Sequence, residues 1–275
     1  MLVHGFAQNR FSWDCEGRSP ARWLAEQGWE VINLELRGHG RSEGAAEAGF
    51  EDYVEDLVRV ASELGRPFVI GHSLGGAAAY AAATRTELAG VIGLGAMWGF
   101  GGHQRFIRLI SGLSLKLPAL RRARVRSRLG AVVMTRLMGL SDTAAWWAPM
   151  SGWWPGSMEP ELLRERLERG FDYTTVQVWL DMARWAVEGE TAVDEALWRA
   201  CHVPLLVVVG DEDHLMPLGD ARGAYDLHPG PDKELLVLDD LKHEVHWGHL
   251  DLVMGRHAPA QVWPRLHAWM TLRGS

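Results

Sequence analysis

Cysteine is nearly absent from this chain. Cys15 and Cys201 are the only two among 275 residues, too few for a disulfide framework, and neither sits in a paired metal-binding spacing. Both are expected to be inert buried thiols. No apolar run approaches the roughly 18 residues that a membrane span demands. Basic residues are not in excess either: 28 Lys and Arg stand against 35 Asp and Glu, a formal net charge of −7. That balance argues against nucleic acid as a partner. There are no internal repeats or low-complexity tracts. No signal peptide opens the chain, which makes the cytoplasm the expected location. The length is enough for a full core, as one domain of ordinary size or one carrying an insertion.

What is present is a rhythm of short apolar runs separated by helical patterns. Strands are expected at Leu2-Val3, Trp29 to Leu36, Phe68 to Ile70, Gly90 to Ala96, Pro204 to Val209 and Glu234 to Leu238. Helices are expected at Arg22 to Gln27, at Phe50 to Leu64 (with Tyr53, Val54, Leu57, Val58 and Ala61 on one face) and at Ala258 to Thr271. This alternation predicts an α/β fold, a mostly parallel sheet covered by helices on both faces. Residues 1–100 and 201–275 supply that core.

Between residues 101 and 200 the strand rhythm stops, and only helices are expected: Gln104 to Ser111, Pro118 to Leu129, Glu159 to Arg169 and Thr174 to Val187. This stretch reads as a helical cap inserted over the sheet. From Arg105 to Arg136 it carries nine Lys or Arg and no acid. Such a stretch is most simply a solvated helix face; the functional alternative is contact with a lipid headgroup surface. The chain holds 14 tryptophans, and the second part of the cap carries Trp146, Trp147, Trp153, Trp154, Trp179 and Trp185.

The chemically suggestive stretch is Pro67 to Gly76, PFVIGHSLGG. A β-branched run breaks into Gly71-His72-Ser73-Leu74-Gly75 and then a small-residue helix, the strand–turn–helix context in which G-x-S-x-G presents a nucleophile. Glycines flank the serine where side chains would collide. Leu74 then opens a helix, with its N–H free to face an anion. A serine nucleophile needs a base, a group that orients the base, and donors for an oxyanion. Carboxylates cluster after the strand PLLVVV, in Gly210-Asp211-Glu212-Asp213, at the sheet edge where sites in such folds lie. Beyond the last strand come His243, His246 and His249. Their three-residue steps lack the H-E-x-x-H zinc spacing, so no metal is expected, and a serine mechanism requires no organic cofactor.

Together these motifs resemble the α/β-hydrolase fold family along the whole chain. The carriers are His4-Gly5-Phe6, the Arg37 to Ser42 turn (RGHGRS), GHSLGG, the G-x-x-D-x-x-x-P element at Gly210 to Pro217, and the late Gly248-His249. The resemblance is closest to the serine esterase and lipase branch. It implies Ser73 as nucleophile, Asp213 as acid with Asp211 as competitor, and His249 as base ahead of His246 and His243. It further implies the backbone N–H groups of Phe6 and Leu74 as oxyanion donors. His72, Trp98, Trp146, Trp147 and Trp179 are the candidates for the substrate pocket. Relatives usually carry one or two strands before His-Gly, for which there is no room here, so a sheet short of its first strands and with an unpaired edge is expected.

The implied activity is hydrolysis of an apolar carboxylic ester through an acyl-enzyme. Thioesterase, acyltransferase or carbon–carbon bond hydrolase chemistry could use the same triad. A non-catalytic relative that binds through the cap is the reading from another class.

Overall fold

The structure, a computed structural model, describes residues 1–44, 47–116, 124–126 and 152–274. Strands β1 (Leu2–Val3), β2 (Asn33–Leu34), β3 (Phe68–His72) and β4 (Gly90–Leu94) precede a pair of short strands, β5 (Arg124–Arg126) and β6 (Tyr173–Thr175). Strands β7 (Leu205–Gly210) and β8 (Lys233–Leu238) follow. Six of these form one sheet in the order β2-β1-β3-β4-β7-β8, and every neighbouring pair is parallel. The expected α/β architecture is the one observed.

Side-chain alternation explains why both faces are covered. Val69, Val91, Val207 and Val209 belong to one buried cluster, while Ile70, Ile92, Leu206 and Val208 belong to the other. Period-two strands with both rows apolar must be sandwiched. Burying each such side chain stabilises the fold by about 1.5–3 kcal/mol. Helices α2 (Phe50–Glu63) and α3 (Leu74–Ala83) pack on the first face, with Tyr53, Val54, Leu57 and Ala61 of α2 buried and Val58 at the margin. Helix α1 (Pro20–Glu26) and the C-terminal Trp263, Leu266, Trp269 and Met270 cover the second. Ser19 caps α1 by accepting from the Arg22 N–H at 3.0 Å.

Three expectations are corrected. The strand read over Trp29 to Leu36 is ordered as a ladder only at Asn33–Leu34, because its partner β1 is itself two residues long, pairing Leu2 with Asn33 and Val3 with Leu34. The closing helix is broken into Ala258–Gln261 and Trp263–Thr271. Pro264 has no N–H to offer the carbonyl one turn back, and its ring crowds that carbonyl. The stretch from 101 to 200 is not purely helical: β5 and β6 pair antiparallel, with β5 falling inside the predicted helix Pro118 to Leu129. The β-branched Thr174 and Thr175 favour a strand there.

The other predicted helices of that stretch are α4 (Arg105–Leu115), α5 (Pro160–Arg169) and α6 (Val176–Glu188). Helices α4 and α6 lie side by side, and the Trp185 ring of α6 meets Phe50 of α2 edge-on at 4.8 Å. Apart from β5, the basic run beyond Lys116 lies outside the described residues, as do Trp146 and Trp147. Among the described residues no helix is long and apolar enough to cross a membrane. Cys15 and Cys201 are buried and unpaired, and burial pushes the Cys15 thiol up to about 11.

Candidate active site

Ser73 stands between β3 and α3 with φ 56° and ψ −123°, a region that a residue bearing a side chain rarely occupies. Three glycines make the turn possible. A Cβ on Gly71 would lie 2.4 Å from the Gly75 carbonyl, one on Gly75 would lie 2.4 Å from the His4 carbonyl, and one on Gly76 would lie 2.2 Å from the Ala96 Cβ. The backbone is over-determined: Ser73 N–H donates to Leu94 O at 3.0 Å, and Ser73 O accepts from the N–H groups of Gly76 and Met97. Surroundings of this kind hold strain of about 1–3 kcal/mol in place.

The loop after β7 brings Asp213 to His249. Asp213 Oδ2 accepts from His249 Nδ1 at 2.7 Å, both side chains being buried. Asp213 Oδ1 accepts from the N–H groups of Leu215 and Met216 at 3.0 and 2.7 Å, so the carboxylate cannot swing away. With Nδ1–H committed to the carboxylate, His249 Nε2 carries the free lone pair. Gly95, at φ +49°, permits the approach: a Cβ there would sit 2.9 Å from both Asp213 Oδ2 and His249 Nδ1. Ser73 and His249 line one cavity of about 320 Å³. Its walls are apolar, including Phe6, Met97, Trp153, Phe171 and Trp179, and among the described residues its polar side chains, the tryptophan N–H groups aside, are Gln8, Ser73 and His249.

The backbone N–H groups of Phe6 and Leu74 have no acceptor among the described residues. Phe6 lines the cavity, and Leu74 is the first residue of α3. His4 holds the loop that carries Phe6. Its Nδ1–H donates to Gly5 O at 3.0 Å and its Nε2 accepts from Leu36 N–H at 3.1 Å. Only the neutral ring can do both.

The competing residues are elsewhere. Asp211 Oδ2 pairs with His246 Nδ1 at 2.6 Å, while His243 Nδ1 accepts from the Asp239 N–H. None of these lines the cavity. Asp211, Asp240 and His246 bring ligand atoms within 4.8 Å of one another, an exposed charged cluster that could hold a cation but stands apart from Ser73 and His249.

Two pocket candidates are corrected. His72 is fully buried and donates from Nε2 to the His249 carbonyl at 3.1 Å, its ring 4.4 Å from the His249 ring. Strand alternation turns it beneath the base instead of into the cavity. Trp98 lies in the core against Tyr80 and Trp198, ring centroids 6.5 and 5.6 Å away. Of the remaining three, Trp179 lines the cavity and Trp146 and Trp147 lie outside the described residues.

The chain matches the profile of the alpha/beta hydrolase family over residues 1–262. It belongs to the alpha/beta hydrolase family. Solved structures with the same fold include a monoacylglycerol lipase from Paleococcus ferrophilus (TM-score 0.68, 16% identity, 98% of this chain and 93% of that one). A thermophilic esterase from Thermogutta terrifontis aligns with TM-score 0.64 at 20% identity, covering 100% of this chain and 89% of that one. An esterase from Exiguobacterium antarcticum gives 0.65 at 16%, covering 98% and 90%. No curated protein matches the chain at significant similarity.

Three residues of this alpha/beta hydrolase site escape sequence reasoning. Asp251 is buried and accepts from Ser157 Oγ, Trp154 N–H and Gly248 N–H at 2.6, 2.8 and 2.6 Å, clamping the His249 loop to residues 154–157. Gln8 lines the cavity two positions after Phe6. Arg166 is 1% exposed on α5. Only Arg166 leaves a sequence signal, a cation on the apolar stripe Leu162, Leu163, Leu167.

The buried imidazoles make acid the weak side of stability. Burial lowers His4 to about 3 and His39 to about 4 from the ordinary 6.5, and holds His72 well below it. The unfolded chain takes up these protons below pH 6.5 while the native state refuses them, so stability present above 6.5 is lost as pH falls. Asp251 opposes this with one proton, since burial lifts its carboxyl to about 7 and favours the native state in acid. Near pH 5 these four groups alone give unfolding a net uptake of about two protons, about 2.7 kcal/mol per pH unit, and the buried Met1 amine, lowered to about 5, adds to it. Urea midpoints at pH 7 and pH 5 check this; equal midpoints contradict it.

Proposed function

We propose that this chain is a serine hydrolase of apolar carboxylic esters. In this reading Ser73 Oγ attacks the ester carbonyl as His249 Nε2 takes its proton, and Asp213 holds the imidazole in the productive tautomer and stabilises its charge. The N–H groups of Phe6 and Leu74 receive the oxyanion. His249 then returns the proton to the leaving alcohol, and a water that it activates releases the acid. The observation that carries the reading is an apolar cavity whose few polar side chains include a strained serine and a histidine already engaged by a buried aspartate. The esterases and lipases that share the fold support the same chemistry.

Cavity size and lining support the substrate class. About 320 Å³ of mostly hydrophobic wall is at the small end for ligand sites and suits a short or medium acyl chain, each buried CH₂ contributing about 0.8 kcal/mol. The outer face of α4 exposes Phe106, Leu109 and Leu113 beside Arg105 and Arg108, which favours delivery from a lipid–water interface. The test is kcat/KM across p-nitrophenyl acetate, butyrate, octanoate and palmitate. A maximum at butyrate or octanoate is expected. No turnover of any of them contradicts the reading.

A further inference from the structure

Among the described residues, besides Ser73 and His249 and the tryptophan N–H groups aside, the polar side chain in the cavity is Gln8, and the reaction described so far gives it no part. Its amide has a fixed orientation. Arg166 Nη2 lies 2.9 Å from one amide atom and Ser12 Oγ lies 3.1 Å from the same atom. A guanidinium has donors only, so that atom must be the oxygen and the NH₂ must be the end left over. Among the described residues that NH₂ has no acceptor. Gln8 also sits close to the reacting centre: a Cβ built on Gly5 would lie 3.0 Å from Ser73 Cβ and 3.3 Å from Gln8 Oε1. Ala7, between Phe6 and Gln8, takes φ 54°, so the loop carrying both residues is bent into a left-handed step.

Arg166 adds an electrostatic reason. Among the described residues it is a buried cation with no carboxylate in salt-bridge reach, and its Nη1 has no hydrogen-bond partner. Its guanidinium also lies over the face of the Phe171 ring, 5.6 Å from Cζ to the centroid. An uncompensated buried charge costs several kcal/mol. Burial lowers this guanidinium only to about 10, so it remains charged at neutral pH. A positive charge behind the Gln8 carbonyl polarises the amide and makes its N–H groups better donors.

We infer that the Gln8 side-chain amide is a third donor to the tetrahedral oxyanion, oriented and polarised by the buried Arg166. The inference rests on the ester-hydrolase reading and adds a catalytic residue to it. Among the described residues Arg166 has no counter-charge in the resting protein; the oxyanion that forms on attack by Ser73 supplies one, through a single amide. Such a contact is stronger in the transition state than in the ground state, and so acts on kcat rather than KM.

Gln8→Met removes the donor at nearly constant volume, and Gln8→Glu replaces it by a carboxylate that can pair with Arg166. Both are measured for thermal stability, for kcat and KM on p-nitrophenyl butyrate, and for inhibition by a phenylboronic acid, whose tetrahedral adduct imitates the oxyanion. Gln8→Met is expected to lose about 100-fold in kcat with KM within about threefold, and to bind the boronate more weakly by a similar factor. Gln8→Glu is expected to be as stable as the parent or more so, yet to lose more activity than Gln8→Met. A merely structural role predicts the reverse order, because the new ion pair would restore the loop. Folded variants with kcat within twofold of the parent, or a loss confined to KM, overturn the inference while parental turnover keeps the ester reading intact. A parent that turns over no ester and ignores a fluorophosphonate probe overturns both.

Discussion

Ser73→Ala is expected to lower kcat/KM on p-nitrophenyl butyrate by about 10⁵- to 10⁶-fold, the loss typical when a serine nucleophile is removed. Among the described residues that line the cavity, His249 has no second hydroxyl to activate. Ser73→Gly should be equally inactive but more stable than the parent by about 1–3 kcal/mol, because glycine occupies φ 56° without the Cβ penalty. The pair separates chemistry from folding. Steady-state kinetics and urea midpoints on the two variants check it, and an active Ser73→Ala or a destabilised Ser73→Gly contradicts the argument.

The second large effect is expected at Asp213. Its Oδ2 receives the His249 Nδ1–H at 2.7 Å in a buried setting. Asp213→Asn puts an NH₂ or a neutral carbonyl there, so the imidazole loses both the enforced tautomer and the charge that stabilises its protonated form. A fall in kcat of about 10⁴-fold is expected, with little change in fold. Asp211→Asn is the matched control. Asp211 makes an equally short bond to His246, yet neither residue lines the cavity, so the control should retain kcat within about twofold. Reversed outcomes would move the acid to Asp211 and the base to His246.

Much of this was legible in the sequence because the signals are local. The turn at Ser73 announces itself through glycines that no side chain can replace, and the strands at Phe68, Gly90 and Leu205 announce themselves through short apolar runs rich in Val and Ile. The choice among Asp211, Asp213 and three histidines was not local. Composition and spacing left it open, and only resemblance to a family favoured one pair. The structure separates them by burial: Asp213 with His249 inside, Asp211 with His246 at the surface. His72 and Trp98 were misread because neighbouring motifs do not say which face of the sheet a side chain takes; period two sends His72 under the base and packing sends Trp98 into the core. Gln8 was illegible. Its meaning depends on Arg166, 158 positions away, and no local pattern joins them.

The central claim is that Ser73 is an activated nucleophile. A fluorophosphonate probe followed by peptide mapping tests it most directly, since the probe phosphonylates a serine only when a base and an oxyanion site assist. Stoichiometric labelling on the peptide carrying Ser73, abolished in Ser73→Ala and slowed strongly in Asp213→Asn, is the predicted result. A folded protein left unlabelled, or labelled at some other serine, would contradict it.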